Sequence, residues 1–207
     1  MRETKARPPE DRERDLRLFV ACELPPEARE ALARVQSDLR EQGAGRLRWV
    51  RPEGIHLTLK FLGAVPPDTA QRVTDALAKA IVEPFTLNLR FDQLGSFGGR
   101  MRLRVLWVGL AGDVEELASL AETVESTLGP LGFPRESRPF APHLTLARVP
   151  DDMGIEERSR LADLIAAYRL PPLPSMSISE VALMQTFLLP GGARYEQRAA
   201  FPSRESA

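Results

Sequence analysis

Histidine occurs twice in this chain, in HLTLKFLG (residues 56–63) and HLTLAR (residues 143–148), and each time threonine follows two positions later. An imidazole titrates near neutral pH, at about 6.5 when unperturbed, so two of them can be held one neutral and one protonated. That combination supplies a general base and a general acid at once. It suits in-line displacement at phosphorus: one ring takes a proton from the attacking oxygen while the other gives a proton to the leaving oxygen. A threonine hydroxyl beside each ring can donate to the non-bridging oxygens as charge builds there. Metal ions and cofactors are not required by such chemistry, and none is expected.

The spacing says which side chains can cooperate. Side chains alternate faces along a strand, so His56 and Thr58 share one face while Leu57, Leu59 and Phe61 share the other; His143 and Thr145 are opposed by Leu144 and Leu146 in the same way. By the same parity Lys60 joins the histidine face, at the rim of a cleft. A single HLTL reads as an ordinary half-exposed strand. Two copies carrying both histidines of the chain read as two halves of one site, provided the fold brings the polar faces together.

The elements that position them repeat. Residues 16–23 (LRLFVACE) read as a strand, Glu27 to Gln42 as a helix opened by Pro25 and Pro26, Ile55 to Leu62 as a strand, a helix follows PPD to about Val82, and FTLNLRF is a third strand. The second half repeats this order with RLRVLWVGL, a helix from Asp113 to Leu128, PHLTLARV, a helix from Ile155 to Tyr168, and SMSISEVALM as one strand. An offset of 87 carries His56 onto His143, Thr58 onto Thr145, Leu16 onto Leu103 and Pro84 onto Pro171. The expected fold class is α+β: a bilobal, pseudo-two-fold duplication, each lobe a mostly antiparallel sheet with two helices on its outer face, and the cleft between lobes. Residues 15–201 form one bilobal domain with halves of about 15–100 and 101–201, flanked by a disordered tail (1–14) and a short tail (202–207). The Gly-bearing stretches LGSFGGRMR and LPGGARYE connect strands. GSFGGR is no phosphate loop, because no Lys-Ser/Thr opens a helix after it.

Bulk composition narrows the function classes. The 207 residues are 43% hydrophobic with a formal net charge of −1, which fits a globular unit and excludes a global basic field. Cys22 is the single cysteine, so no intramolecular disulfide can form, and it is expected to pack as a small apolar strand residue. No apolar run reaches membrane-spanning length and no signal-like segment opens the chain. A cytoplasmic monomer with no membrane partner is expected.

The two H-x-T-x motifs on duplicated units resemble the 2H phosphoesterase superfamily. RLFVACELP, HLTLKFLG, LGSFGGRMRLRVLWVGL, PFAPHLTLAR and LPGGARY together resemble its RNA 2′,3′-cyclic phosphodiesterase branch, also called 2′-5′ RNA ligase, over about residues 16 to 201. The resemblance implies hydrolysis of an RNA 2′,3′-cyclic phosphodiester to a 2′-phosphomonoester, with His56 as proton donor to the leaving 3′ oxygen and His143 as proton acceptor from water. Thr58 and Thr145 become substrate contacts. The family's second motif often continues H-x-T-x-x-R, which nominates Arg148 for substrate phosphate, although in a regular strand it faces away from His143 unless a bulge re-aims it. Where relatives commonly carry Ser, this chain has Thr186, which keeps the hydroxyl. By the same resemblance the expected partner is RNA with a 2′,3′-cyclic phosphate end. Ligation by the reverse reaction and a non-catalytic RNA-end binding module are the alternatives. Arg46, Arg48, Arg51, Arg135 and Arg138 before the motif strands, and Arg100, Arg102 and Arg104 at the central connection, are candidate RNA-backbone contacts, most of them expected to be solvated loop residues. Trp49, Phe97 and Phe140 are candidate stacking residues that serve equally as core.

Overall fold

A computed structural model describes residues 15–190 and 192–202; the terminal tails expected at 1–14 and beyond 202 lie outside the described residues. The chain runs β1 (Leu16–Glu23), α1 (Pro26–Leu39), β2 (Arg48–Trp49), β3 (His56–Val65), α2 (Pro67–Ala80), β4 (Leu87–Phe97), β5 (Val105–Gly112), α3 (Val114–Leu128), β6 (His143–Arg148), α4 (Ile155–Ala167), β7 (Met176–Ile178), β8 (Val181–Leu189) and β9 (Gly192–Phe201). Prolines at the first helical position open α1 and α2, where the missing N–H costs nothing. SMSISEVALM, expected as one strand, is split into β7, at one edge of the sheet, and β8, one strand in from the other edge.

The strands form one antiparallel sheet in the order β7-β4-β5-β6-β3-β1-β8-β9, with β2 added beside β6. The α+β duplication is therefore observed, with the halves interleaved: β4 pairs with β5, and β8 pairs with β1. Each half-chain lends a strand to the other's part of the sheet. All four helices pack on one face, where Leu57, Leu59, Leu144 and Leu146 join a single core with Leu32, Val73, Leu117 and Leu161. Fully burying one such leucine contributes about 2 kcal/mol. Cys22 belongs to this core, and burial pushes its thiol up to about 12, as its expected apolar role requires. Among the described residues the opposite face carries a small buried cluster, Phe19, Ala21, Ala182 and Met184, with Tyr195 against it. No helix among the described residues is long and apolar enough to cross a membrane.

The pseudo-dyad passes between β3 and β6. Leu57 pairs with Leu144, its own equivalent in the repeat, as an isologous contact demands. The offset of 87 does not extend to the first strand of each half. Phe19 faces Phe61, and Val105 faces Arg148, so β1 and β5 are related by 86 and the equivalence of Leu16 with Leu103 fails by one residue.

Candidate active site

The Leu57–Leu144 register decides where the polar residues go. Continued one residue either way in antiparallel pairing, it sets His56 opposite Thr145 and His143 opposite Thr58. The leucines occupy the helix-covered face, so both histidines and both threonines share the open one. Directly opposed side chains have Cβ atoms about 5 Å apart and diagonal ones about 7–8 Å, so the two imidazoles flank a space of about the size of a phosphate group.

Each ring is oriented by the carbonyl two residues before it. His56 Nδ1 lies 2.8 Å from Gly54 O, and His143 Nδ1 lies 2.7 Å from Ala141 O. A carbonyl can only accept, so Nδ1 carries the proton in both rings and Nε2 is left to exchange one with a ligand. The environments then diverge. Burial, above all, holds the His56 pKa down at about 4; the hydrogen bond to Gly54 opposes this, and the charges of His143 and Arg29 add to it. Phe19 packs 4.6 Å from the His56 ring and Tyr195 meets it edge-on at 5.0 Å. On the other side Phe97 meets the His143 ring edge-on at 4.7 Å, and Trp107 stands 6.3 Å away. The Trp107 indole lies over Gly95, where an added Cβ would overlap the ring. Glycine is what lets β4 carry that wall.

Both motif strands contain a bulge at the same point, and it corrects two expectations. In β3, Thr58 faces Ala21 and Lys60 faces Val20, leaving Leu59 extra; in β6, Thr145 faces Trp107 and Ala147 faces Leu106, leaving Leu146 extra. The extra residue reverses the facing of the residues that follow it, in β3 up to a second register shift after Phe61. Lys60 therefore leaves the histidine face: it is 2% exposed on the helix side and donates to Glu125 Oε2 at 2.6 Å and to Pro134 O at 2.8 Å. Phe61, expected in the core, is 63% exposed on the open face, 6.2 Å from Phe19. The same reversal brings Arg148 onto the face of Thr145, since their partners Val105 and Trp107 are two residues apart in β5. Gln36, 1% exposed on α1, ties this bulge down by donating to Leu146 O and Val50 O at 3.0 and 2.8 Å.

Of the three nominated aromatics, Phe97 alone is at the histidines. Trp49 and Phe140 pack against the core, with Arg40 stacked on Trp49 at 4.5 Å. Phe19, Trp107 and Tyr195 escaped sequence reading because strand pairing delivers them. Three of the nominated arginines are spent on acids: Arg46 on Asp152 and Glu157, Arg100 on Asp163, and Arg135 on Glu122. Among the described residues no group of three or more His, Cys, Asp or Glu side chains is arranged to hold a metal ion.

Comparison with known proteins gives a consistent picture. Residues 23–107 and 108–195 each match the family model described as LigT like Phosphoesterase, so the family unit itself occurs twice. The chain is 31% identical over 188 residues to an RNA 2′,3′-cyclic phosphodiesterase of Methanothermobacter thermautotrophicus, covering 90% of this chain and 98% of that one. It is 32% identical over 183 residues to the Escherichia coli protein of the same name, covering 86% and 92%. A crystal structure of E. coli LigT complexed with ATP superposes with a TM-score of 0.63 at 29% identity, covering 91% of this chain and 98% of that one.

Proposed function

Because the chain belongs to the LigT-like phosphoesterase family, we propose that it hydrolyses RNA 2′,3′-cyclic phosphodiester ends to 2′-phosphomonoesters, using His56 and His143 as the acid and base. The observation that carries this reading is the Leu57–Leu144 register, which gathers two imidazoles and two hydroxyls on one open face. The names of the similar archaeal and bacterial proteins support the same substrate class.

Water attacks phosphorus from the side of His143, whose Nε2 takes its proton. A new P–O bond forms as the P–O3′ bond breaks, and His56 Nε2–H protonates the departing 3′ oxygen. Thr58 and Thr145 donate to the non-bridging oxygens, where the developing charge makes each hydrogen bond strongest in the transition state. Arg148, turned by the bulge onto the face of Thr145 but about 15 Å along β6 from His143, contacts a substrate phosphate other than the one between the histidines. With a pKa of about 4, His56 is neutral at pH 7 in the free protein. The bound phosphodiester supplies the negative charge that raises it, so His56 takes up a proton as substrate binds.

Rates on an RNA ending in a 2′,3′-cyclic phosphate, measured for the parent and for His56→Ala and His143→Ala, test this. Each variant is expected to lose about 10²- to 10⁴-fold in kcat. Full activity in both would sink the assignment.

A further inference from the structure

Past the bulge in β6, Arg148 opens onto a cavity of about 580 Å³ at the end of the sheet, lined also by Arg48, Arg102, Arg104 and Arg158. Arg158 is consumed there, donating to the carbonyls of Leu103, Pro150, Asp151 and Met153. The side chains of Arg48, Arg102, Arg104 and Arg148 have no carboxylate partner among the described residues. Asp151 is the one acid in the lining. Arg48 and Arg148 are directly paired across β2 and β6, an arrangement of like charges that destabilises a sheet unless an anion lies between them.

The contrast with Arg46, Arg100 and Arg135 is informative, because those three are neutralised by acids beside them. Arginines left bare around one hollow, continuous with the histidine face through Arg148, form a site for an anion. At strand rise, Arg148 lies about 15 Å along β6 from His143. That is too far for the cavity to be the seat of the phosphate held between the histidines; Arg148, which shares the face of Thr145, links the two.

We infer that Arg48, Arg102 and Arg104 form a second anion subsite, which holds an internal phosphodiester of an RNA chain whose cyclic end occupies the histidine pair. The inference rests on the activity proposed above and extends it: the substrate is an oligonucleotide, recognised through its backbone, rather than a mononucleoside cyclic phosphate. Guanidinium contacts of this kind bind sequence-independently and release counterions.

The test compares kcat/KM on a mononucleoside 2′,3′-cyclic phosphate with kcat/KM on a tetranucleotide bearing the same terminal nucleotide, for the parent and for the triple variant Arg48→Gln, Arg102→Gln, Arg104→Gln. The parent is expected to favour the tetranucleotide at least about tenfold at low salt, and the variant to lose that preference while keeping mononucleotide turnover, which also certifies its fold. The salt slope for the tetranucleotide should fall by about 0.7 for each phosphate contact removed. Binding of a fluorescent tetranucleotide ending in a 3′-phosphate, read by anisotropy, gives an arm independent of turnover, with a loss of about tenfold expected in the variant. Failure of the parent to open either substrate counts against the proposed activity, and the anisotropy arm then decides the subsite. A tetranucleotide preference or affinity that survives the triple substitution overturns the subsite.

Discussion

The His56 half and the His143 half are built to one plan and finished differently. Each has His-Leu-Thr-Leu on a central strand, a ring tied through Nδ1 to the carbonyl two residues back, and a bulge after the threonine. At the bulge the halves part. The first places Lys60 in an ion pair beneath the sheet and Phe61 above it; the second places Ala147 in the core and Arg148 above. Consequently His56 sits against Phe19 and Tyr195 and is held neutral by burial, while the sheet beyond His143 opens into arginines. Duplication explains why two rings meet. Divergence at the two residues after each bulge explains how one half becomes an apolar wedge and the other an arginine-lined edge.

The largest break in this comparison comes from Lys60→Met. It leaves Glu125 charged and nearly buried without its partner, at an expected cost of about 3–5 kcal/mol in chemical denaturation. The double variant Lys60→Met, Glu125→Gln should recover much of that loss. If the single variant is as stable as the parent, the ion pair does not hold the first bulge in place.

A smaller effect comes from His56 itself. Unfolded, the ring accepts a proton near pH 6.5; folded, only near 4. The unfolded state therefore binds more protons between these values, and stability falls as pH drops from about 6.5 to about 4, by about 3 kcal/mol in total, with no further change from this group below that. In His56→Gln this acid-linked loss should vanish. An unchanged pH-stability curve would mean that the ring is not desolvated.

Smaller again is Gly95→Ala. Its methyl group lands on Trp107, so the indole and the Phe97 wall must move, at about 1–3 kcal/mol, with activity falling through His143. Gly109→Ala, whose Cβ meets the same indole at 3.3 Å, should show a milder version of both effects. Equal, negligible effects would remove the indole from any role in seating His143.

The sequence made the duplicated strand-helix pattern, the helix starts and the paired histidines and threonines legible, because each depends on local periodicity or on residue identity. Bulges are not legible in this way: one extra residue inverts the parity rule, and so Lys60 and Phe61 exchanged places, while Arg148, which regular alternation turns away, shares the face of Thr145. The exchange of β4 and β8 between halves, and the aromatic surroundings drawn from β1, β4, β5 and β9, arise from non-local pairing. No alternation within one segment encodes them. The candidate arginines could be sorted only once their neighbours were known, since an arginine beside Asp163 and one beside another arginine look alike along the chain.

The central claim is that the two rings, facing one another across the pseudo-dyad, open a cyclic phosphate by breaking its 3′ bond. Phosphorus NMR of an RNA ending in a 2′,3′-cyclic phosphate, before and after incubation with the protein, tests it directly. The cyclic resonance is expected to give way to that of a 2′-phosphomonoester, and to persist with His56→Ala or His143→Ala. A 3′-phosphomonoester product, or a cyclic signal that the parent protein leaves untouched, would contradict the account.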